Sequence, residues 1–424
     1  MDHRARILFM SPDLPFPVVG GGRMRAESII RGLSKYADVH VACVAPCLPD
    51  STVKWARETG VAISVMEDSP AGLLRRSWDR GKMIATWCNL RHRGRERSFF
   101  AVLLSTFNPD LVWLETPYLL RYALRWQDRV PLIVDYWGTS EGHERLFRTS
   151  RGFRRTVKWL QWDVARRTEE RFARRLHHIV TVSELDGRYF RSISPHADVW
   201  AVPIGAPTVS NPGVSSLREA ETPSMIFTGD LSYVPNVDAA VYFVREIFPA
   251  IREKIPAATV RFVGRNPLPE IFALSSTPGV CVEGFVPDLM ERIREVHLYI
   301  LPMRLGSGIR SKLFEVFPLG KPIVTTAIGA EGLDLHDGVN CLMADTAEAF
   351  SEACVRLLGD RQERHRLGEA VRGLAVHKYS QKNVETILRG ILHEMGLLGS
   401  SDEGRFSGGG SDVPPTCAGQ RRVA

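Results

Sequence analysis

The chain has 424 residues, 44% of them hydrophobic, and a formal net charge of +7. That length is enough for two large cores, and the composition argues against a fibrous or wholly disordered protein. No apolar run approaches the ~20 residues that span a bilayer, and residues 1–10 carry no signal-peptide pattern, so a cytoplasmic protein is expected.

The first part alternates strand and helix patterns. Strands are expected at Ile7–Met10, Val39–Val44, Val61–Val65, Leu111–Leu114, Leu132–Val134, Ile179–Val182 and Val199–Val202, with helices at Ala26–Lys35, Phe99–Phe107 and Val157–Leu176. Alternation of this kind implies a parallel sheet covered by helices. Val202 to Pro207 closes this unit, so a first domain over 1–207 is expected, followed by a Ser-, Pro- and Gly-rich linker at Ser210–Pro223. A second alternation begins at Met225, with strands near Val260–Val263, Val280–Val282, Leu298–Leu301, Ile323–Thr326 and Cys341–Met343. Helices are expected at Asn236–Arg252, Leu289–Arg294, Ser311–Phe317, Ala347–Leu358 and Gln362–Val376, giving a second domain over 208–380. The fold class is therefore α/β, two Rossmann-like doubly wound parallel-sheet domains with a cleft between them. The polar, glycine-rich stretch Gly399–Ala424 reads as a disordered tail.

Charge divides with the domains. Residues 1–205 hold 32 Lys+Arg and 22 Asp+Glu, the remainder 23 and 26, and all nine tryptophans fall between Trp55 and Trp200. The two parts thus face different partners. The seven cysteines (Cys43, Cys47, Cys88, Cys281, Cys341, Cys354 and Cys417) are scattered, as expected of reduced residues in a cytoplasmic protein. No Asp-x-Asp motif lies near the expected cleft, and His177-His178 lacks further ligands at metal spacing, so no metal is expected.

The richest stretch is Met303-Arg-Leu-Gly-Ser-Gly-Ile-Arg-Ser-Lys-Leu-Phe-Glu315, which follows the apolar strand Leu298–Leu301. Its glycines let backbone approach a phosphate, while Arg310 and Lys312 bring two cations to a helix start. Glu315, about one turn further, suits sugar hydroxyls. The same residues are readable as solvated charges and a salt-bridge partner. Two cations at a helix N-terminus oppose the dipole, however, and an anionic ligand resolves that conflict. A diphosphate beside a ribose is half of a nucleotide sugar.

In the first domain, Asp135, at the end of an expected strand, is a candidate site residue, with His143 in the stretch that follows. Asp135 is equally readable as a turn residue. From Arg145 to Arg175 the chain is strongly basic, with Phe147, Phe153, Trp159, Leu160 and Trp162 interleaved. That pattern suits an interfacial helix on anionic lipid, and equally a solvated helix whose tryptophans pack inward. No nucleic-acid motif accompanies it.

The second half resembles glycosyltransferase family 4, the retaining GT-B enzymes. The resemblance is carried by Phe227-Thr-Gly-Asp-Leu-Ser-Tyr-Val-Pro-Asn-Val-Asp238, Arg261-Phe-Val-Gly-Arg-Asn266, Val282-Glu-Gly-Phe-Val-Pro287, the Met303–Glu315 loop, Gly329-Ala-Glu-Gly-Leu333 and Asp337-Gly-Val-Asn-Cys-Leu342. The N-terminal resemblance is thinner: Gly20-Gly-Gly-Arg23, Pro109-Asp110 and Val180-Thr-Val-Ser-Glu184. The subgroup is similar to sugar transferases of bacterial exopolysaccharide loci. The resemblance implies a nucleoside-diphosphate sugar as donor, with Arg310 and Lys312 on the diphosphate and Glu315 on the ribose. It places Arg265 near the base, and Gly21 and Gly22 against the phosphates or sugar. Gly229, Ser307, Gly308, Gly329 and Gly332 line the rest of the donor site. In the first domain it implies a residue facing the reaction centre after the strand Leu132–Val134, which makes Asp135 the leading candidate for acceptor contact or base work, with His143 behind it. It also implies that a final helix, about 381–398, crosses back to the first domain. Two departures stand out: Ser307 replaces the first of two usual glutamates, and Asp230-Leu231 replaces a usual basic pair.

The expected protein moves a sugar from a nucleotide donor to a glycan or lipid-linked acceptor in bacterial surface or exopolysaccharide synthesis. It would work in the cytoplasm, with a peripheral position at the inner face of the plasma membrane as a further expectation. A nucleotide-sugar epimerase of the same fold, or a catalytically silent nucleotide-binding partner of an export complex, remains as an alternative.

Overall fold

Consecutive apolar residues form strands when helices cover both faces of a sheet. The computed structural model follows that rule and describes residues 4–18, 20–67, 93–140, 144, 148, 152–207, 221–306 and 308–398. His143, Ser307, residues 208–220 with most of the expected linker Ser210–Pro223, and the tail at 399–424 lie outside the described residues, as do Cys88, Cys417, Arg145, Phe147, Arg151 and the side chains of Phe153 and Arg154.

The first sheet has seven strands: β1 (Arg6–Ser11), β2 (Asp38–Ala45), β3 (Ala62–Glu67), β4 (Leu111–Leu114), β5 (Leu132–Tyr136), β6 (His178–Thr181) and β7 (Asp198–Ala201). Their order is β3-β2-β1-β4-β5-β6-β7, and every pairing is parallel. Side chains of β1 alternate between two cores. Ile7 and Phe9 pack with Ile29, Ile30 and Leu33, whereas Leu8 and Met10 pack with Phe100 and Leu104 on the opposite face. The second sheet has β8 (Ser224–Thr228), β9 (Thr259–Val263), β10 (Val280–Gly284), β11 (Leu298–Leu301), β12 (Ile323–Thr325) and β13 (Leu342–Met343). Its order is β10-β9-β8-β11-β12-β13, again all parallel.

Several helices differ from expectation; those expected at Phe99–Phe107 and Val157–Leu176 run Arg93–Phe107 and Gly152–Ala173. The helix expected at Ala26–Lys35 begins at Gly21 and runs to Leu33, so the glycine run is a helix start rather than a loop. The helix expected over Asn236–Arg252 is instead Val234–Tyr242, a π-helical turn at Phe243–Ile247, then Phe248–Lys254. Pro249 has no N–H to give the carbonyl four residues back, which favours such an interruption. The helix after Lys312 is one turn, Leu313–Val316, followed by a 3-10 turn at Phe317–Leu319 and left-handed Gly320 at φ 61°. So short a helix has little macrodipole, and the attraction expected from it at Arg310 and Lys312 falls to the side chains themselves.

Lys321 is buried and donates to the carbonyls of Arg294 and Val296 at 3.0 and 2.5 Å, a cation at the C-terminus of helix Leu289–Glu295. The last described helix, Gln381–Glu394, packs on helix Gly21–Leu33. Ser28 donates to Gln381 at 2.7 Å, Gln381 donates back to the Ser28 carbonyl at 2.9 Å, and Lys35 pairs with Glu385 at 2.6 Å. Val384, Leu388, Ile391 and Leu392 complete the core beneath, each buried side chain contributing about 1.5–3 kcal/mol.

Candidate active site

In open parallel sheets, loops at the carboxyl ends of the strands gather ligands. Here the loops of both sheets meet. A Cβ built on Gly21 would sit 2.3 Å from Ser311 Oγ, and one on Gly22 would sit 2.7 Å from the Trp137 ring. The Trp137 carbonyl lies 3.5 Å from the Cβ position of Gly308, and Ser183 Oγ lies 3.4 Å from that of Gly332. The glycines therefore permit close approach between the helix start and strand ends of the first sheet and the loops of the second. No acidic residue occupies the first turn of helix Gly21–Leu33, leaving its positive dipole end uncompensated in sequence.

On the second side, Lys312 is the centre of a built arrangement. Its Nζ donates to Asn236 Oδ1 at 2.8 Å and lies 4.2 Å from the centroid of the Phe227 ring. Asn236 is itself held by donating to the Asp230 carbonyl at 2.9 Å, and Asp230 accepts from Ser232 and Asn266. Gly229, at φ 148°, sits under both groups: a Cβ there would be 2.7 Å from Asn236 Nδ2 and 2.8 Å from Lys312 Nζ. Gly264 presses on the same loop, its Cβ position only 1.6 Å from the Gly229 carbonyl oxygen. Arg265 extends this neighbourhood into solvent.

Arg310 is buried, donates to the Ile328 carbonyl at 3.3 Å, and packs on Gly306. Burial, then the neighbouring Arg310 charge, pulls the Lys312 ammonium down to about 7. Burial pushes the Glu315 carboxyl up, with Lys312 opposing that shift. Thr228 and Tyr299 share a hydrogen bond of 2.7 Å close to it. Gly329 fits under Thr325 Oγ1 and the Leu301 carbonyl and donates to Thr326 Oγ1 at 3.0 Å. The structure thus brings together Gly21, Gly22, Gly229, Gly308, Arg310, Lys312 and Glu315. Among the described residues no group of three or more His, Cys, Asp or Glu is placed to hold a metal ion.

Asp135 occupies a different setting from the one expected. It is 0% exposed, and its carboxylate accepts from Arg25 Nε at 2.8 and 3.0 Å and from the guanidinium terminus at 2.6 Å. Arg25, 1% exposed, also donates to the Val202 carbonyl at 2.6 Å. A carboxylate committed in this way does not reach an acceptor without breaking the pair. Beside it, Glu115 at the end of β4 is buried and pushed up to about 8, by burial first, with the Asp135 and Asp13 charges adding to it. Sequence reasoning missed Arg25, Glu115, Asn236 and Trp137. The local signals were the place of Asn236 inside the quoted Phe227–Asp238 motif and Trp137 itself, an aromatic just beyond an expected strand.

A family model described as "Glycosyl transferase 4-like domain" matches residues 20–205, and one described as "Glycosyl transferases group 1" matches residues 222–360. Among solved structures, HepE from Anabaena in complex with UDP and glucose is similar at 16% identity and a TM-score of 0.63, covering 93% of this chain and 100% of its own. Sucrose-phosphate synthase from Thermosynechococcus elongatus is similar at 12% identity and a TM-score of 0.67, over 93% and 99%. TarM from S. aureus, in complex with Fondaparinux, alpha-GlcNAc-glycerol and UDP, is similar at 10% and 0.64, over 91% and 99%. No protein of curated function matches the chain. Two parallel α/β domains facing across a cleft make the GT-B architecture that these solved structures share. The chain belongs to the glycosyltransferases that join a 4-like domain to a group 1 domain.

Proposed function

We propose that the chain is a retaining glycosyltransferase that carries a sugar from a nucleoside diphosphate to a glycan or lipid-linked acceptor in bacterial surface or exopolysaccharide synthesis. The observation that supports this best is Lys312, held by Asn236 and Phe227 over Gly229, whose missing Cβ makes room for the Lys312 and Asn236 side chains. Lys312 and Arg310 would stabilise charge on the leaving diphosphate without a metal ion. Glu315 would take the ribose hydroxyls, and Arg265 would border the base. Gly21 and Gly22 would bring the first helix's dipole to the phosphates, while Gly308, Gly329 and Gly332 would keep the walls low. The bound UDP and UDP-glucose of HepE fit such a donor. The exopolysaccharide setting rests on the resemblance of the quoted motifs.

The test is donor turnover. With UDP- and GDP-sugars, nucleotide release is expected to rise when lipid-linked glycan acceptors are added, and the product should keep the donor's anomeric configuration. Isomerised donor without acceptor would indicate an epimerase instead. Tight nucleotide binding with no turnover would indicate a silent partner.

Helix Gly152–Ala173 supports a peripheral position on anionic lipid. Val157, Trp159, Leu160 and Val164 are exposed along it, beside exposed Arg155, Arg167 and Arg171, whereas Trp162 is half-buried. No helix among the described residues is long and apolar enough to cross a membrane. Vesicles containing phosphatidylglycerol should pellet the protein where neutral phosphatidylcholine vesicles do not. Trp159→Ala/Leu160→Ala should reduce the bound fraction severalfold, and equal pelleting with both lipids would defeat the idea.

A further inference from the structure

Trp137 is the first residue after β5, on the wall that faces the Arg310–Lys312 loop. Its backbone is fixed on both sides. Before it, Tyr136 is buried and Asp135 is locked by Arg25. After it, Ser140 donates through its N–H and hydroxyl to Glu169 Oε1 at 3.3 and 3.0 Å. The ring edge rests on Gly22, where any side chain would collide with it. Yet the residue is 41% exposed, whereas Trp55 and Trp113 are packed at 2% and 0%. Its indole N–H donates to no described residue. Folding therefore places a large apolar ring at the mouth of a cleft without burying it. An aromatic face of this kind is a common anchor for a ligand with one apolar side and polar edges.

A pyranose ring has that character: axial C–H groups make one face apolar, and hydroxyls surround it. We propose that Trp137 is the stacking platform for a sugar ring of the acceptor, so that the acceptor is itself a pyranoside rather than a polyol, a protein side chain or a bare lipid phosphate. This rests on the glycosyl-transfer reading above and names the acceptor class for that site. The platform belongs to the first-domain wall, opposite the cations assigned to the donor, and its indole N–H is available to a ring hydroxyl. Gly22 has a second role here, because a methyl group at that position would displace the platform.

The full chain labelled with 5-fluorotryptophan allows a direct test, with Trp137→Phe identifying its fluorine resonance. Octyl glycosides of glucose, galactose, mannose and N-acetylglucosamine would be titrated in the presence and absence of UDP, with octanol as the control. At least one pyranoside should shift the Trp137 line saturably, while octanol leaves it in place. In Trp137→Ala the dissociation constant of that glycoside should rise about tenfold, with partial recovery in Trp137→Phe and unchanged UDP affinity. If no glycoside moves the line, or UDP alone moves it and glycosides add nothing, Trp137 is not an acceptor platform. Failure of the unsubstituted protein to bind UDP or GDP would instead overturn the donor assignment, and the glycoside titration without nucleotide would still decide the role of Trp137.

Discussion

Lys312→Ala should weaken nucleoside-diphosphate binding by about ten- to a hundredfold, the loss of about 1.5–3 kcal/mol that follows removal of one charge-assisted contact. A pH signature should distinguish that loss from general damage. Burial and then the Arg310 charge hold the Lys312 ammonium down at about 7, against an ordinary 10.5. Above pH 7 the nucleotide-free protein should therefore hold a largely neutral amine, to which a bound diphosphate would recruit a proton. Affinity of the native protein for UDP should fall as pH rises from about 7.5 to 9.5, by up to about tenfold per unit, whereas Lys312→Ala should be nearly flat there. Calorimetry in buffers of different ionisation enthalpy would register the proton uptake directly. Equal slopes in both proteins would remove Lys312 from the phosphate site.

Stability should run the opposite way. With its folded pKa below its unfolded one, this lysine leaves the unfolded chain holding more protons between about 7 and 10.5. Its own contribution to stability therefore rises with pH across that window and is least favourable below it. Lys312→Ala should accordingly raise the melting temperature of the empty protein most near or below pH 7, an advantage that fades at higher pH.

Arg25→Ala should destabilise the protein by about 3–5 kcal/mol, because it leaves the buried Asp135 carboxylate without its charge partner. A loss of that size is a large part of the roughly 5–15 kcal/mol that holds a typical protein folded. The double variant Arg25→Met/Asp135→Leu should recover most of the melting temperature, since apolar replacement of a buried pair is often neutral. It should not recover full activity. The pair ties the start of helix Gly21–Leu33 to the end of β5, and so sets Gly22 against Trp137. If the double variant melts as low as Arg25→Ala, the unpaired charge is not the source of the cost.

The strands were legible because covered parallel strands are written as unbroken apolar runs, as in Leu298–Leu301 and Ile7–Met10. The cation loop was legible too, since Arg310, Lys312 and Glu315 lie within six residues of one another. What stayed hidden was long-range. Arg25 and Asp135 are 110 positions apart, and Asn236 and Lys312 are 76 apart, so no periodicity links either pair. The sequence therefore leaves Asp135 open between a site residue and a turn residue, and neither reading foresees that Arg25 takes its carboxylate. The start of the first helix was missed because three glycines have poor helix propensity, which packing against Ser311 and Trp137 overrides.

The return of helix Gln381–Glu394 to the first domain carries a consequence for biosynthesis. On a ribosome, an N-terminal domain ordinarily folds before the next one is made. Here Val384, Leu388, Ile391 and Leu392, which close the core under helix Gly21–Leu33, are translated roughly 180 residues after Val202. At about 5–20 residues per second, the apolar side of that helix waits on the order of 10–40 s for its cover. Until that helix emerges, the apolar side of helix Gly21–Leu33 stays exposed, and the first domain completes its core only after the second has been translated.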